Sequence, residues 1–532
     1  MKETPKQGNT ANQQIARAAS IVFIAMAVGQ LIGQVAKSVT VSAFGASAEL
    51  DAYNAANRVS ETVYLLVAGG ALGSSFIPVF TGLLTNHKKK EAWKLASGII
   101  NLVTIVLVLL SILVMIFAEP LVKNILAPSF PPDQQLLTAS LLRILMPTTI
   151  IFGASGLFMG ILNSHQKFLL PALAPSMYQI GIVLGVIFFS PSMGIYGLAW
   201  GTLLGAGLHF LIQLPQIIKL PDRQYELILG IKNERVREVI LLMLPRLLGV
   251  AVVQLNFWVN TIIASGLRPG SLTAITIGFA LMLMPQTVIG QATATAALPT
   301  YAAQYAQGKI DEFRSSLAAT LRVILLLSIP AMVGMIVLRR PLVAMFYGYG
   351  AGADQAAMRM ISAAVLWYTV GLVSHSIYEI LARAFYALHD TRTPVIVGVI
   401  AMSLNVAFSF LFVNLFRNLS NSPALGGLAL ANSVATTIEM IVLIIVMSKR
   451  LKGLEINSML LTAGKAAVSA GIMAIVLNFW LGFAQPGINP IIVTLVGAVG
   501  GVMIYFGLIY LLRVPELSAL IDTVKKRVLR RE

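Results

Sequence analysis

Two stretches, Leu95–Ala118 and Ile488–Leu512, run 24 and 25 residues without a charged side chain. About 20 apolar residues cross a bilayer as a helix. In hydrocarbon each backbone N–H must find its partner within the protein, which leaves only helices or closed barrels. Runs of this length and uniformity predict membrane-crossing helices. The rest of the chain agrees: of 532 residues, 57% are apolar and 11% charged, against roughly 25% charged in soluble domains. The expected fold class is an all-α polytopic membrane protein.

Charged turns and helix breakers divide the apolar sequence: His87–Lys94, Pro191–Met193, Lys219–Glu238, Arg268–Ser271, Gln304–Ser316, Arg339–Arg359 and Lys449–Asn457. Between them lie fourteen expected transmembrane helices. Their ranges are 15–43, 58–84, 95–118, 136–162, 170–190, 194–217, 238–266, 273–300, 317–338, 360–386, 394–416, 425–448, 458–484 and 488–512. The first 14 residues are polar and the apolar run after them exceeds a signal-peptide core, so no cleaved export signal is expected. The chain has no cysteine, which excludes thiolate chemistry and disulfides.

The net charge of +17 would suit nucleic acid if it formed a patch. Counted by side, 25 Lys and Arg fall in the tails and the loops after even-numbered spans, and 5 fall opposite. This asymmetry over short loops places both termini in the cytoplasm, turns the excess charge toward anionic inner-leaflet lipid and removes nucleic acid as a partner.

The two halves share a pattern. Span two contains GGALGSSFIP, with Gly69 nine residues before Pro78, and span eight contains GQATATAALP, with Gly290 nine residues before Pro299. Spans four and ten both leave through a polar turn closed by proline, Pro171 and Pro394. The expected organisation is an N-lobe over 1–218 (spans 1–6), a C-lobe over 219–448 (spans 7–12), a two-helix unit over 449–512 and a basic tail over 513–532. Two six-helix lobes of equal topology imply a pseudo-twofold axis along the membrane normal and a substrate site between them.

Polar side chains at bilayer depth are costly and mark function or pairing. Gln30, Gln34 and Lys37 form a stripe on span one at helical spacing. Asp51 follows, then Arg58 and Glu61 one turn apart. A basic stripe suits a diphosphate or carboxylate, Arg as a fork and Lys as a point charge; local pairing of Arg58 with Glu61 and snorkelling of Lys37 is the competing reading. Span seven adds Arg246, Gln254, Asn256 and Asn260, and span thirteen Lys465, a candidate lipid-headgroup contact. His375 and Glu379 share a face of span ten, with Arg383 a turn later. Arg143, Arg322, His209 and Glu439 read as structural. No nucleotide loop, metal-ligand spacing or paired-carboxylate motif is present, so the chain is not expected to be an enzyme.

Four segments, FGASAELDAYNAANR, GGALGSSFIPVF, GILNSHQKFLLPALAP and above all LARAFYALHDTRTP, resemble the MurJ (MviN) lipid II flippases of the multidrug/oligosaccharidyl-lipid/polysaccharide exporter superfamily. The resemblance covers essentially the whole chain. It implies a carrier of the undecaprenyl-diphosphate-linked peptidoglycan precursor, residing in the bacterial inner membrane and working by alternating access around a cationic cavity. It also implies a tail groove in the last two spans, coupling to membrane potential or Na+, and contact with cell-wall synthesis proteins. Asn405 matches an asparagine of the family's cation site, without an acid nearby in its span. Where family members carry arginines in span one, this chain has Gln30 and Ala36, with Lys37 beside the second; Tyr64 and Ala280 replace further basic positions. Export of another lipid-linked oligosaccharide, or ion-coupled drug antiport, is the alternative reading.

Overall fold

The computed structural model describes residue 25 and residues 28–66, 72–221, 223–419, 423–484 and 487–517. Among them secondary structure is helical throughout. Ten helices are long and apolar enough to span a membrane, or eleven when the bent pair Gln355–Thr369 and Leu372–Ala387, at 45°, is counted as one span. The first two expected spans run partly through residues outside the described set.

Contacts divide the chain into two compact units, Met1–Pro269 and Gly270–Glu532. The first contains α1 (28–44), α2 (Ala48–Tyr64), α3 (Leu72–Thr85), α4 (Lys89–Ile116), α5 (Pro132–Ser164), α6 (Leu169–Leu184), α7 (Ile195–Leu211) and α8 (Glu234–Ser265). The seventh expected span is α8. It packs on α2, α3 and α4 and lies within the first unit. Phe76, Phe80, Trp93, Leu107 and Ile161 centre the core of this unit, and Val236, Val239 and Met243 of α8 close it.

Membrane helices gain little hydrophobic energy by leaving lipid for one another; close packing and interhelical hydrogen bonds hold them instead. Both are present. Hydroxyl pairs bridge α2 to α7 (Tyr53 to Thr202, 2.7 Å), α2 to α5 (Ser60 to Thr148, 2.8 Å) and α4 to α5 (Ser111 to Thr149, 3.0 Å). Gly181 of α6 and Gly185 just beyond its end face Gly205 and Gly201 of α7, and a Cβ placed on Gly201 would stand 2.4 Å from Gly185 Cα. The two backbones touch because neither carries a side chain there.

The second unit contains α9 (Ser271–Ala306), α10 (Ile310–Tyr347), α11 (Gln355–Thr369), α12 (Leu372–Ala387), α13 (Arg392–Arg417), α14 (Leu425–Arg450), α15 (Ile456–Ala484) and α16 (Pro490–Leu511). The last two share its core: Met473, Leu477, Tyr505 and Ile509 pack with Leu321, Ile324 and Leu338 of α10. The Tyr505 hydroxyl donates to the Leu326 carbonyl at 2.8 Å.

Local geometry repeats between the units. α9 opens into a wide π-type turn over Thr287–Gln291, two residues beyond Pro285, which lacks an N–H for the ladder. The same widening occupies residues 65–66, one turn before Gly69 as the other surrounds Gly290. Left-handed backbone recurs at His87 and Gly308, and again at Gln166 and His389, each in the turn that ends a matching helix. Phe80 meets the ring of His165, and Tyr305 that of His389, both with centroids 5.9 Å apart.

Candidate functional site

Within the first unit the polar residues of α2 face α8. The Arg58 guanidinium donates through Nη1 to Glu61 Oε2 at 2.9 Å and lies over the Phe257 ring, 4.7 Å from its centroid. Its side chain is 17% exposed, and its Nε is buried without a hydrogen-bond partner among the described residues. One turn on, Thr62 accepts from the Trp258 indole N–H at 2.9 Å; its own hydroxyl proton lies between the Arg58 carbonyl at 2.7 Å and Gln254 Oε1 at 3.2 Å. The aromatic pair therefore fixes two groups, the plane of the guanidinium and the rotamer of Thr62.

Lys37 is exposed on α1, and Glu61 acts on its ammonium electrostatically. Gln30 is exposed as well, whereas Gln34 is buried. Gly29 and Gly33 seat α1 against α6: a Cβ on Gly29 would stand 3.1 Å from Ser176 Oγ, and one on Gly33 3.7 Å from Gln179 Cδ. Lys37, Glu61 and Arg58 are thus joined by charge and Gln254 is reached through Thr62, while along α1 Gln34 is buried between the exposed Gln30 and Lys37. The result is a mixed-sign patch of moderate exposure whose guanidinium keeps a spare donor.

The remaining residues of the sequence reading lie elsewhere. Asp51 is 1% exposed in the first turn of α2, inside the packing of the unit. Asn260 is buried and donates to Asn256 at 3.5 Å along α8. The Arg246 side chain falls outside the described residues. Lys465 donates to the Leu512 carbonyl at 3.1 Å, completing the end of α16 where helix carbonyls lack partners.

Several polar side chains of the second unit pair with one another. His375 Nε2 meets Asn432 Oδ1 at 3.1 Å, and Glu379 pairs with Arg383 at 3.5 Å, so the i, i+4 couple on α12 looks outward to two different partners. Asn405 is buried and accepts from Ser409 at 3.2 Å; α13 carries no acid. The Glu439 carboxylate approaches Gly398, two turns from Asn405. Arg322 bonds both Glu455 and Glu516 at 2.5 Å, and Arg143 bonds Glu119 at 2.9 Å. Among the described residues no group of three His, Cys, Asp or Glu side chains could hold a metal.

Sequence reasoning passed over Phe257, Trp258 and Thr62. The available signal was spacing: Gln254 and Trp258 are i, i+4 on a span already marked by amides, and an indole on such a face wants an acceptor.

The family model described as "Lipid II flippase MurJ" matches residues 40–496. The lipid II flippase MurJ of Burkholderia cenocepacia is 26% identical over 499 residues, covering 91% of this chain and 95% of that protein. The protein of Vibrio cholerae named "Probable lipid II flippase MurJ" is 27% identical, covering 96% and 99%. Among solved structures, a lipid II flippase MurJ in an inward closed conformation superposes with a TM-score of 0.77 at 25% identity, over 92% of this chain and 97% of that one. An inward-facing multidrug resistance transporter of the MATE family shares the fold, with a TM-score of 0.67 at 16% identity over 81% and 98%.

Proposed function

The chain belongs to the MurJ lipid II flippase family, and from that premise we infer that it carries lipid II from the inner to the outer leaflet of the cytoplasmic membrane by alternating access. It is a multi-pass inner-membrane transporter of the peptidoglycan pathway and not an enzyme. We assign it fourteen spans, two lobes of six related by a pseudo-twofold axis, and a C-terminal pair along which the polyprenyl tail would lie. The repeated wide turns and left-handed corners of the two units support that arrangement.

The observation that carries the site assignment is Arg58: an aromatic-backed guanidinium, held at one N–H by Glu61 and with Nε unbonded. A diphosphate oxygen supplies the acceptor this group lacks, and Lys37 adds a second positive charge beside Glu61. Gln30 and Gln254 offer amides to the polar headgroup. Asp51 and Asn260 serve to hold the first unit around this patch, and Lys465 closes the end of α16 in the second.

An inside-negative potential favours outward movement of an anionic headgroup, by about 2.3 kcal/mol per charge for 100 mV. Membrane potential is the driving term we assign, with Na+ coupling near Asn405 as the second reading, the acid nearest that helix being Glu439 of α14 beside Gly398. Drug antiport is disfavoured by the basic character of the patch and by the weaker likeness to the multidrug transporters.

The direct test is rescue of lipid II export in cells depleted of their own flippase. Export should be restored by the wild-type chain and lost in the Lys37→Ala, Arg58→Ala double variant at equal membrane abundance. Normal export in the double variant would remove the site assignment. Failure of the wild-type chain to rescue, despite correct insertion, would remove the substrate.

A further inference from the structure

The connection between α7 and α8 is not a free cytoplasmic loop. It folds back along α4, and two side chains of that helix hold its backbone. Asn101 Nδ2 donates to the carbonyls of Glu226 (3.0 Å) and Ile228 (2.8 Å), while its Oδ1 accepts from the Tyr225 hydroxyl. Ser97 Oγ accepts from the Glu226 N–H at 3.1 Å. Gly98 leaves room for the return: the Leu229 carbonyl and Gly230 Cα stand 3.5 Å from where its Cβ would be.

The path is a hairpin pointed along the helix. Gln224 and Glu226 meet Ser97, Ile228 meets Asn101 one turn further, and Gly230 is back beside Gly98. At the apex the Ile228 N–H bonds the Glu226 carbonyl at 2.9 Å, a three-residue turn centred on Leu227. Leu227 is 89% exposed, and Tyr225, Leu229 and Ile231 on alternate positions are exposed with it. Arg223 and Lys232 stand exposed at the two ends.

Depth decides what meets this tip. Asn101 lies seven residues beyond Lys94, about 10 Å further along a helix rising 1.5 Å per residue. Lys94 ends the charged entry to α4, and the charge-free run begins at the next residue. Irregular backbone can persist at that level only if its carbonyls are satisfied by protein, which Asn101 does for two. Apolar side chains that penetrate about 5–10 Å, with basic residues behind them, are the pattern of an interfacial anchor.

We propose that residues 223–232 form a membrane anchor, with Leu227 inserted at the headgroup–acyl boundary of the cytoplasmic leaflet and Arg223 and Lys232 on lipid phosphates. The assignment of leaflet rests on the orientation adopted above for the loop between spans six and seven. Asn101 is then a structural polar residue of α4 whose task is to hold an irregular segment at membrane depth. Tyr225 sits at the level where its ring meets acyl chains and its hydroxyl remains bonded to Asn101.

The chain's lack of cysteine makes the test clean. Leu227→Cys and, as a reference, Gln307→Cys are labelled with an environment-sensitive dye in the full chain, reconstituted in phosphatidylglycerol-containing bilayers. Position 227 is expected to be quenched by lipids spin-labelled near the headgroup and shielded from aqueous iodide; position 307 should behave conversely. Quenching of 227 by iodide to the level of 307 would overturn the anchor. Shielding of 227 from both quenchers would overturn it in favour of a covering protein or second copy. Adding Asn101→Leu to the 227 variant should raise iodide quenching several-fold, and no change would refute the pin. Labelling of Gln307→Cys in intact cells by an impermeant thiol reagent would show reversed orientation; that result overturns the leaflet assignment, whereas the quenching data judge insertion independently.

Discussion

The guanidinium carbon of Arg58 lies 4.7 Å above the ring centroid of Phe257, joining α2 to α8. The ring does two things for the cation. It contributes attraction of about 0.5–2 kcal/mol depending on desolvation, and it fixes the plane in which the free Nε points. Glu61 takes one N–H in that plane and leaves Nε without a partner among the described residues.

Arg58→Ala is therefore expected to reduce lipid II export by roughly 10-fold or more, the loss of one or two charge-assisted hydrogen bonds. Phe257→Leu should cost only a few-fold, because the charge remains and only its orientation relaxes. Arg58→Lys should recover part of the loss, as a point charge without the fork. Export measured by substrate accessibility at the outer face, at matched protein abundance, ranks the three. Equal activity of Arg58→Ala and wild type would break the link between this residue and the headgroup.

Packing of α6 on α7 gives a sharper structural test. A methyl group at Gly201 would overlap the backbone at Gly185, whereas one at Gly207 meets nothing within 4 Å. Gly201→Ala should destabilise by about 1–3 kcal/mol, the usual cost of overpacking, and Gly207→Ala should be neutral or slightly stabilising. Melting temperatures in detergent distinguish them; a neutral Gly201→Ala would mean that the helices sit further apart than described.

Arg322 ties α10 to the two ends of the C-terminal helix pair through Glu455 and Glu516, and the Glu516 side chain is only 9% exposed. Arg322→Met strands that carboxylate, for an expected loss of about 3–5 kcal/mol. Adding Glu455→Gln and Glu516→Gln should return most of the stability, because the stranded charges are then gone. Thermal unfolding of the single and triple variants checks both directions, and a triple variant no better than the single would show that packing, not charge, is at stake.

Asp390, in the turn of the LHDTRTP segment, caps α13. It accepts from the Thr393 hydroxyl at 2.6 Å and from the backbone N–H groups of Thr393 and Arg392, and pairs with Arg450. The Thr393 hydroxyl bond first, then its N–H and Arg450, hold the carboxyl down at about 2, below its ordinary 3.8, against the opposing effect of burial. A depressed carboxyl stabilises the fold above its unfolded value and ceases to do so as pH falls through the folded one. The melting-temperature advantage of wild type over Asp390→Ala should thus be constant at neutral pH and shrink between pH 3.8 and about 2. An advantage unchanged at the acid end would assign it to packing alone.

The all-helical membrane architecture was legible in the residues because bilayer thickness and backbone satisfaction leave so few solutions for long charge-free runs; the family and its function were legible only through the resemblance of segments such as LARAFYALHDTRTP. Segments such as LHDTRTP were legible as motifs, but their task was not. Asp390 reads as a conspicuous acid in a loop, and only the fold shows it capping one helix and reaching Arg450 at the end of the next. Arg58 with Glu61 was legible as an i, i+3 pair because helical spacing alone brings them together.

What sequence could not supply was every relationship across helices. Lys465 reads as a lone cation at bilayer depth, yet it meets the carbonyl of Leu512, 47 residues away. Asn101 attracts no notice in an apolar run until the loop it holds is seen beside it. Periodicity and hydropathy report how a residue stands relative to its own helix axis and to lipid, and these follow from the chain's local geometry. Which foreign side chain meets it depends on the rotation and depth of a second helix, set jointly by glycine contacts, hydroxyl bridges and ring packing over the whole unit. Sequence alone determined the solvent of this protein and its helices; tertiary structure decided which of its polar groups are spent on one another and which remain for a ligand.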